Sequence, residues 1–213
     1  MSSYQYASLK FAGSPLKAAL KRAFWNALRR PHRDRLGRAS YVVPPFSCTA
    51  PDCMTIGDNV MIGSGAQFQL LTSFSGATFH PQLDIASDTY IGTQCEIVCI
   101  DAVRIGRGCT LSDQVYINDC SHSMDPRQGH IMDRPLTTKG PVTIGENCFI
   151  GRGATVLSGV TLGEHCVVGT HAVVTRSAPA YSMLAGNPAR IVARFDLAKG
   201  RWASIAETES AVR

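Results

Sequence analysis

The sequence has 213 residues, 17% of them charged, and a formal net charge of +5. This length can bury one sizeable core, and no apolar run approaches the roughly 18 residues of a transmembrane helix. Positive charge is concentrated before residue 40, which argues against a nucleic-acid binder, because such proteins usually carry basic surface through the folded domain. The N-terminal sequence lacks the features of a secretory signal. We therefore expect a cytoplasmic protein, with the inner face of the membrane as the alternative.

Residues 1–40 are predicted to form a basic N-terminal segment that contains a short helix. Ser14 is a suitable N-cap and Pro15 suits the first turn. We interpret the apolar stripe of residues 14–30 as packing on the main domain or on a neighbouring subunit, because an isolated helix usually needs tertiary contacts. Peripheral contact with anionic lipid through the same residues is the alternative that stays open. The stripe consists of Leu16, Leu20, Phe24 and Leu28.

A repeat of six residues follows. Residues 144–173 divide into IGENCF, IGRGAT, VLSGVT, LGEHCV and VGTHAV, and the same frame appears earlier in units that start at Ile56, Ile91 and Ile105. Each unit begins with an aliphatic residue, usually has Gly second and has a small residue fifth. A period of six is neither helical nor that of an alternating strand.

This period predicts a short strand and a turn, three of which make one triangular coil. Coils would stack about 4.8 Å apart through parallel strands, and the stack would bury what one unit cannot. We expect the second-place Gly to take the turn position that needs an unusual backbone conformation. The predicted fold is mainly β, a parallel β-helix over residues 41–193, with residues 194–213 as a C-terminal tail.

The fifth place also explains half of the cysteines. A free Cys behaves as a small buried hydrophobe, so we predict structural packing for these residues in preference to metal or redox chemistry. No metal site is predicted. The cysteines concerned are Cys95, Cys109, Cys148 and Cys166.

Two stretches break the repeat, and breaks of this kind usually carry function because insertions map to loops. Residues 123–141 are polar, contain Pro and Gly, and are predicted to form a projecting loop. The stretch LLTSFSGATFHPQ, at 70–82, is either an imperfect coil or a smaller loop.

The repeats and their surroundings resemble the hexapeptide-repeat acyltransferases, which fold as left-handed parallel β-helices. That handedness is an exception to the usual right-handed crossover. The lead-in Val43-Pro44-Pro45-Phe46 and the stretch His122-Ser123-Met124-Asp125-Pro126 are similar to those of maltose and galactoside acetyltransferases. The segments LTTKGPVTIGENCFIGRGA and AGNPAR look more like those of capsule and lipopolysaccharide acetyltransferases. Extra residues before Asp101 depart from the maltose type and leave the acceptor open.

The resemblance implies transfer of an acetyl group from acetyl-CoA to a hydroxyl of a sugar or glycan acceptor, directly and without an acyl-enzyme. It also implies a homotrimer with active sites between subunits. His122 lies where the family keeps its general base, and a histidine suits that task because its unperturbed pKa of about 6.5 is near cellular pH.

Three residues near His122 have open roles. Asp119 either orients the imidazole, as carboxylates do in triads, or stabilises a turn. Asp101 lies where related sugar acetyltransferases keep an acid that accepts hydrogen bonds from the acceptor, although a charged turn residue is the alternative. Cys120 is disfavoured as a nucleophile, because the family chemistry needs none.

The resemblance also implies coenzyme A in a groove between neighbouring prisms. The ring of Phe149 would flank the pantetheine arm, Gly151 would permit close approach, and Thr170 would offer a polar group near the thioester. Arg176 and Arg190 would bind the phosphates, which guanidinium groups hold well. The complete set of candidates is Phe149, Gly151, Thr170, Thr175, Arg176 and Arg190.

Three other functions remain as alternatives. One is an acetyltransferase for a small acceptor such as a free sugar, an amino acid or an antibiotic. The second is a γ-type carbonic anhydrase, which holds zinc with three histidines on the same prism; His122, His130, His165 and His171 do not share a rung position. The third is a non-catalytic scaffold.

Overall fold

The structure is a computed structural model that describes residues 35–205. Its main feature is a stack of coils that contribute strands to three sheets with nine, six and five strands. Within the stack each coil visits the five-stranded sheet, then the nine-stranded sheet, then the six-stranded sheet, and every pairing between coils is parallel. The result is a triangular prism, as the repeat predicts.

The strands of the first half, in chain order, are as follows. They are β1 (Tyr41–Val42), β2 (Phe46–Cys48), β3 (Met54–Ile56), β4 (Met61–Ile62), β5 (Ala66–Leu70), β6 (Ser73–Phe74), β7 (Ala77–Thr78), β8 (Gln82–Ile85), β9 (Tyr90–Ile91), β10 (Glu96–Cys99), β11 (Ala102–Ile105), β12 (Thr110–Leu111) and β13 (Tyr116–Asn118).

The strands of the second half continue the stack beyond a long insertion. They are β14 (Ser121–His122), β15 (Leu136–Thr137), β16 (Val142–Ile144), β17 (Phe149–Ile150), β18 (Thr155–Val156), β19 (Thr161–Leu162), β20 (Val167–Val168), β21 (Val173–Val174), β22 (Ser182–Gly186), β23 (Ala189–Asp196) and β24 (Arg201–Ser204). Short 3-10 turns lie at Pro51–Cys53, Pro126–Gln128 and Ile131–Asp133.

The first-place aliphatic residues form columns along the axis of the prism. Ile56 pairs with Ile85, Ile85 with Ile105, Ile105 with Ile144, and Ile144 with Leu162. All of these side chains are buried in one continuous core. Burial of apolar area stabilises the stack by roughly 25 cal/mol per Å². The six-residue frame is therefore confirmed.

The reason for Gly in the second place differs from the one predicted from the sequence. A Cβ on Gly145 would lie 2.6 Å from the amide nitrogen of Glu164 in the next coil, so a side chain has no room there. The unusual backbone conformation belongs to the fourth place instead, where Asn147 has φ of 55° and His165 has φ of 54°. The expectation that Gly serves the turn conformation was wrong, because close stacking is what excludes a side chain.

Cysteines of the fifth place are buried, as predicted, and each thiol has a defined partner. The thiol of Cys148 donates to the carbonyl oxygen of Gly163 at 3.1 Å, one coil further on. Ser40 and Thr89 donate their hydroxyls to the equivalent carbonyls of Gly57 and Gly106. Where the fifth place holds Cys, Ser or Thr, the side chain therefore donates a hydrogen bond to the next coil. Matching thiol contacts are made by Cys95, Cys109 and Cys166.

The two breaks in the repeat are insertions at the same edge of the prism. Both begin where the chain leaves the six-stranded sheet and end where it enters the five-stranded sheet. The stretch at 71–81 is a hairpin of β6 and β7, which decides between the two alternatives in favour of a smaller loop. The long insertion starts with β14, which pairs with β15 in antiparallel fashion, and it holds the predicted projecting loop at 123–141.

The C-terminal part of the chain changes direction. β22 pairs with β20 in parallel, whereas β23 and β24 continue the nine-stranded sheet in antiparallel order. β23 crosses the predicted boundary between residues 193 and 194, so the first part of the expected tail belongs to this sheet.

The predicted N-terminal helix and its stripe at 14–30 lie outside the described residues. Within residues 35–205, no helix is long and apolar enough to cross a membrane.

Candidate active site

The edge that carries both insertions also carries the residues predicted for catalysis. We call this column of turns the insertion edge; it comprises residues 71–81, 100–101, 119–141, 157–160 and 175–177. Asp101 lies in the turn between the two insertions, and Asp119 and His122 lie at the start of the long one. The three residues that the sequence singled out for chemistry are thus neighbours along one edge.

His122 is half-buried in β14, where it pairs with Leu136 of β15. Its imidazole packs against the ring of Phe74 from the hairpin, with ring centroids 5.2 Å apart and planes at 71°. Its Nδ1 atom is buried and has no hydrogen-bond partner within residues 35–205. Nδ1 is therefore shielded from solvent in this structure.

Asp119 is fully buried, and its carboxylate is committed to the turn at residues 100–101. One oxygen accepts the backbone N–H of Ile100 at 2.9 Å, and the other accepts that of Asp101 at 2.8 Å. The thiol of Cys99 donates to the second oxygen at 3.2 Å. These contacts are those of a turn-stabilising Asp, the second of the two predicted alternatives. In the described chain the carboxylate makes no hydrogen bond to the imidazole.

Asp101 is placed by Asp119 but keeps its own carboxylate in solvent. Its backbone N–H is bound by Asp119, and its carbonyl accepts the N–H of Gln82. The side chain is exposed. A fixed backbone with an open carboxylate, one turn from His122, fits a group that binds acceptor hydroxyls.

The two insertions contact each other across the turn that holds Asp101. Ser75 at the tip of the hairpin donates its hydroxyl to the carbonyl oxygen of Asp133 at 2.6 Å. Within the long insertion, Arg134 donates to the carbonyls of Ser123 and Gly129. Sequence reasoning missed Phe74, although the Ser75-Gly76 dipeptide beside it is a turn signal.

Comparisons with known proteins agree with this architecture. Residues 141–176 match the family model described as bacterial transferase hexapeptide (six repeats). Nodulation protein L of Rhizobium leguminosarum bv. viciae is 34% identical over 175 residues, 82% of this chain and 75% of that protein. The putative lipopolysaccharide biosynthesis O-acetyl transferase WbbJ of Escherichia coli (strain K12) is 27% identical over 155 residues, 70% of this chain and 76% of that protein.

Solved structures show the same fold at low sequence identity. AntD of Bacillus cereus, an N-acyltransferase in complex with dTDP and 3-hydroxybutyryl-CoA, has a TM-score of 0.65 and 16% identity. The match covers 83% of this chain and 88% of that one. The chain belongs to the hexapeptide-repeat transferases. The predicted left-handed parallel β-helix and the predicted enzyme class, acyltransferase, are both confirmed.

The transferase carries a cysteine beside its predicted base, but its chemistry does not suit a nucleophile. Burial, together with the neighbouring Asp119 carboxylate, raises the pKa of the Cys120 thiol to about 12. The thiolate is the nucleophilic form, so this side chain stays unreactive near neutral pH. This environment agrees with the prediction that Cys120 is not a nucleophile.

The donor-site candidates of the transferase fall on different parts of the prism. Phe149 is 44% exposed on the outer face of the nine-stranded sheet, and Thr170 is exposed where that sheet turns into the six-stranded one. Thr175 and Arg176 are exposed on the insertion edge, two coils beyond His122, or about 10 Å along the axis. Arg190 is exposed on β23. One chain does not bring these groups together.

Gly151, which is expected to permit close approach of the pantetheine arm, also has a structural reason to lack a side chain. A Cβ there would lie 2.7 Å from the carbonyl oxygen of Val168 and 2.8 Å from the amide nitrogen of Thr170. The next coil therefore occupies the space that the missing side chain leaves, and the expected role of this glycine toward coenzyme A stays a prediction.

A metal centre was not predicted, and the zinc alternative depends on three converging ligands. Within residues 35–205, no group of three or more His, Cys, Asp or Glu side chains could hold a metal ion. His165 and His171 both occupy fourth-place turns with positive φ, at 54° and 56°, which gives them a conformational role.

Proposed function

We propose that this transferase moves the acetyl group of acetyl-CoA to a hydroxyl of a sugar, with His122 as general base, in the synthesis of a capsule, lipopolysaccharide or exopolysaccharide. The observation that carries the proposal is the insertion edge. A regular prism is interrupted twice at that edge; His122 lies at the start of the long interruption, and the open carboxylate of Asp101 lies in the turn one coil earlier.

The reaction follows from the chemistry of the imidazole. Nε2 of His122 accepts the proton of the acceptor hydroxyl while the hydroxyl oxygen attacks the thioester carbonyl carbon. The tetrahedral intermediate then collapses, its carbon–sulfur bond breaks, and the leaving thiolate of coenzyme A takes the proton from the imidazolium. General acid–base catalysis of this kind contributes about 10² to 10⁴ in rate.

A glycan acceptor is supported by one of the relatives and by the site. WbbJ of Escherichia coli is described as a putative lipopolysaccharide biosynthesis O-acetyl transferase. The exposed carboxylate of Asp101 can accept hydrogen bonds from two neighbouring hydroxyls, which a sugar presents and a simple alcohol does not.

The scattered donor-site candidates support a homotrimer. Phe149 and Thr170 lie away from the insertion edge, so a complete site needs the insertion edge of one subunit against the other face of its neighbour. In that arrangement the pantetheine arm would lie along Phe149, and Arg176 and Arg190 would hold phosphates, because guanidinium groups bind them bidentately.

The test follows thiol release from acetyl-CoA over a panel of free sugars, glycan fragments and small alcohols, with mass spectrometry of the acceptor product. His122→Ala should lower kcat by about 100-fold or more. His130→Ala is the matched control, because His130 is an exposed histidine of the same loop whose ring accepts the N–H of Met132. An unimpaired His122→Ala enzyme would count decisively against the base. Transfer to an amino acid or antibiotic in preference to every glycan would favour the small-acceptor alternative.

A further inference from the structure

The base of this site lacks the hydrogen bond that usually orients a catalytic imidazole. A histidine that accepts a proton at one nitrogen is normally held by an acceptor at the other. Nδ1 of His122 has no such partner within residues 35–205, and the carboxylate of Asp119 binds the amides of Ile100 and Asp101. Within residues 35–205, therefore, no carboxylate orients this ring through Nδ1.

The imidazole ring of His122 makes an aromatic contact with Phe74. The centroid distance of 5.2 Å and the angle of 71° are those of an edge-to-face pair, an arrangement worth about 0.5–1.5 kcal/mol beyond area burial. Phe74 and His122 are far apart in sequence and lie on the two separate insertions. The contact therefore exists because the hairpin reaches across the intervening turn.

The hairpin is built to place Phe74 at that position. Phe74 pairs with Ala77, so Ser75 and Gly76 are the central residues of a two-residue turn, and both have positive φ, 47° and 78°. Positive φ at both central residues matches a type I′ turn, which keeps the two strands in register. Nothing lies within 4 Å of a Cβ built on Gly76, so glycine is favoured here by the positive φ and not by a lack of room for a side chain.

The tip of the hairpin is tied down at its far side. A non-glycine residue with positive φ is uncommon and is held by its surroundings. Ser75 has that conformation, and its hydroxyl donates to the carbonyl of Asp133 at 2.6 Å. The hairpin is thus fixed at its base by the prism and at its tip by the long insertion, with Phe74 between the two.

We propose that Phe74 is the positioning residue of this active site, and that its ring, in place of a hydrogen-bonded carboxylate, holds the His122 imidazole with Nε2 towards the acceptor. This inference rests on the proposed function of His122 as base. It assigns the hairpin at 71–81 a part in the reaction, through a residue that touches the base.

The kinetic test compares three variants. Phe74→Leu keeps apolar volume but removes the ring, Phe74→Tyr keeps the ring, and Thr78→Ala is a control on the same hairpin with an exposed side chain. A ring displaced by about 1 Å can cost about 100-fold in rate, so Phe74→Leu should lower kcat by about 10- to 100-fold. The KM for acetyl-CoA should stay unchanged, and Phe74→Tyr should restore most of the rate.

A double-mutant comparison separates positioning from acceptor binding. If Phe74 acts through His122, Phe74→Leu should cause no further loss in a His122→Ala background. Additive losses would overturn the proposal, as would a Phe74→Leu enzyme with wild-type kcat.

A spectroscopic readout keeps this inference separate from the proposed function. In protein with isotope-labelled histidine, the ring signal of His122, assigned by its loss in His122→Ala, should shift in Phe74→Leu and stay in place in Thr78→Ala. That shift with an unimpaired His122→Ala enzyme would mean that the contact exists and the proposed base is wrong. An unshifted signal would overturn the positioning role itself.

Discussion

The carboxylate of Asp119 accepts the backbone N–H of Asp101 at 2.8 Å, and this bond ties the start of the long insertion to the turn before it. The same carboxylate accepts the N–H of Ile100. A buried side chain thus sets the position of an exposed one, since the carboxylate of Asp101 projects from a backbone that Asp119 holds.

Asp119→Asn should destabilise the protein and lower acetyl transfer. An amide group has one acceptor oxygen and would face the second N–H with a donor, at a cost of about 1–3 kcal/mol in the free energy of unfolding. Asp113→Asn is the matched control, because Asp113 accepts the N–H of Thr93 at another edge of the prism. Urea unfolding should show a larger loss in Asp119→Asn than in Asp113→Asn, and the activity of the folded protein should fall in Asp119→Asn alone. Equal activity in the two would argue against the proposed place of Asp101 in the site.

Asp101→Asn should leave stability almost unchanged and weaken acceptor binding. Hydrogen bonds to a charged group contribute about 1.5–3 kcal/mol, so the KM for the acceptor should rise about tenfold or more. The KM for acetyl-CoA should not change. Glu146→Gln removes an exposed carboxylate away from the insertion edge and serves as the control. If Asp101 were a charged turn residue without a role in binding, Asp101→Asn and Glu146→Gln would have the same KM for the acceptor.

Gly145→Ala and Asn147→Gly test the reason for the repeat. A Cβ at 145 would meet the next coil at 2.6 Å, so Gly145→Ala should cost about 1–3 kcal/mol, as overpacking does. Asn147 has φ of 55°, a conformation that Gly adopts freely, so Asn147→Gly should change the free energy of unfolding by about 1 kcal/mol or less. The midpoints of urea unfolding measure both. If Asn147→Gly were the more destabilising of the two variants, turn conformation would again explain the glycine of the second place.

Cys148→Ser and Cys148→Ala test what the thiol hydrogen bond contributes at one fifth-place residue. The serine can donate to the carbonyl of Gly163 as the thiol does, and Ser40 already makes the equivalent bond to Gly57 at 2.7 Å. Alanine leaves that acceptor without the thiol, so it should lose about 1 kcal/mol more than serine in urea unfolding. If Ala and Ser proved equally stable, size alone would govern this position.

The reactivity of Cys120 should depend on pH in one direction. The pKa of the Cys120 thiol is raised from about 9 to about 12 in the folded protein. The protonated thiol therefore contributes fully to stability below about pH 9, and this contribution is lost as the pH rises towards 12. Alkylation by iodoacetamide at pH 8 should therefore be slow in folded protein and fast in urea. Cys120→Ser should keep its acetyl-transfer activity; a loss as large as that of His122→Ala would reopen the nucleophile question.

Local patterns in the sequence predict the prism well, because each six-residue unit contains its own strand and turn. Ile144 and Leu162 could be assigned to one column from the repeat alone, because no insertion separates them. The role of Gly145 could not, because the atoms that exclude its side chain belong to Glu164 in the next coil. Spacing shows that a glycine recurs but not which neighbour requires it.

The candidate site was predictable at His122 and not at Phe74. His122 stands where the repeat stops, which a reader of the sequence can see. The contact with Phe74 depends on both insertions leaving the prism at the same edge, and that follows only when the coils between them are counted correctly. Asp119 was recognised as important, but its partners are backbone amides that carry no sequence signal.

Both insertions leave the parallel pairing of the coils intact, since strands before and after them still lie in register. The scaffold and the two inserted segments are thus separate parts of the chain. Exchanging the hairpin at 71–81 and the segment at 119–141 together, between relatives of different substrate preference, should transplant selectivity as a pair. Exchanging either alone would break the tie between Ser75 and Asp133, so the two segments are expected to evolve in concert.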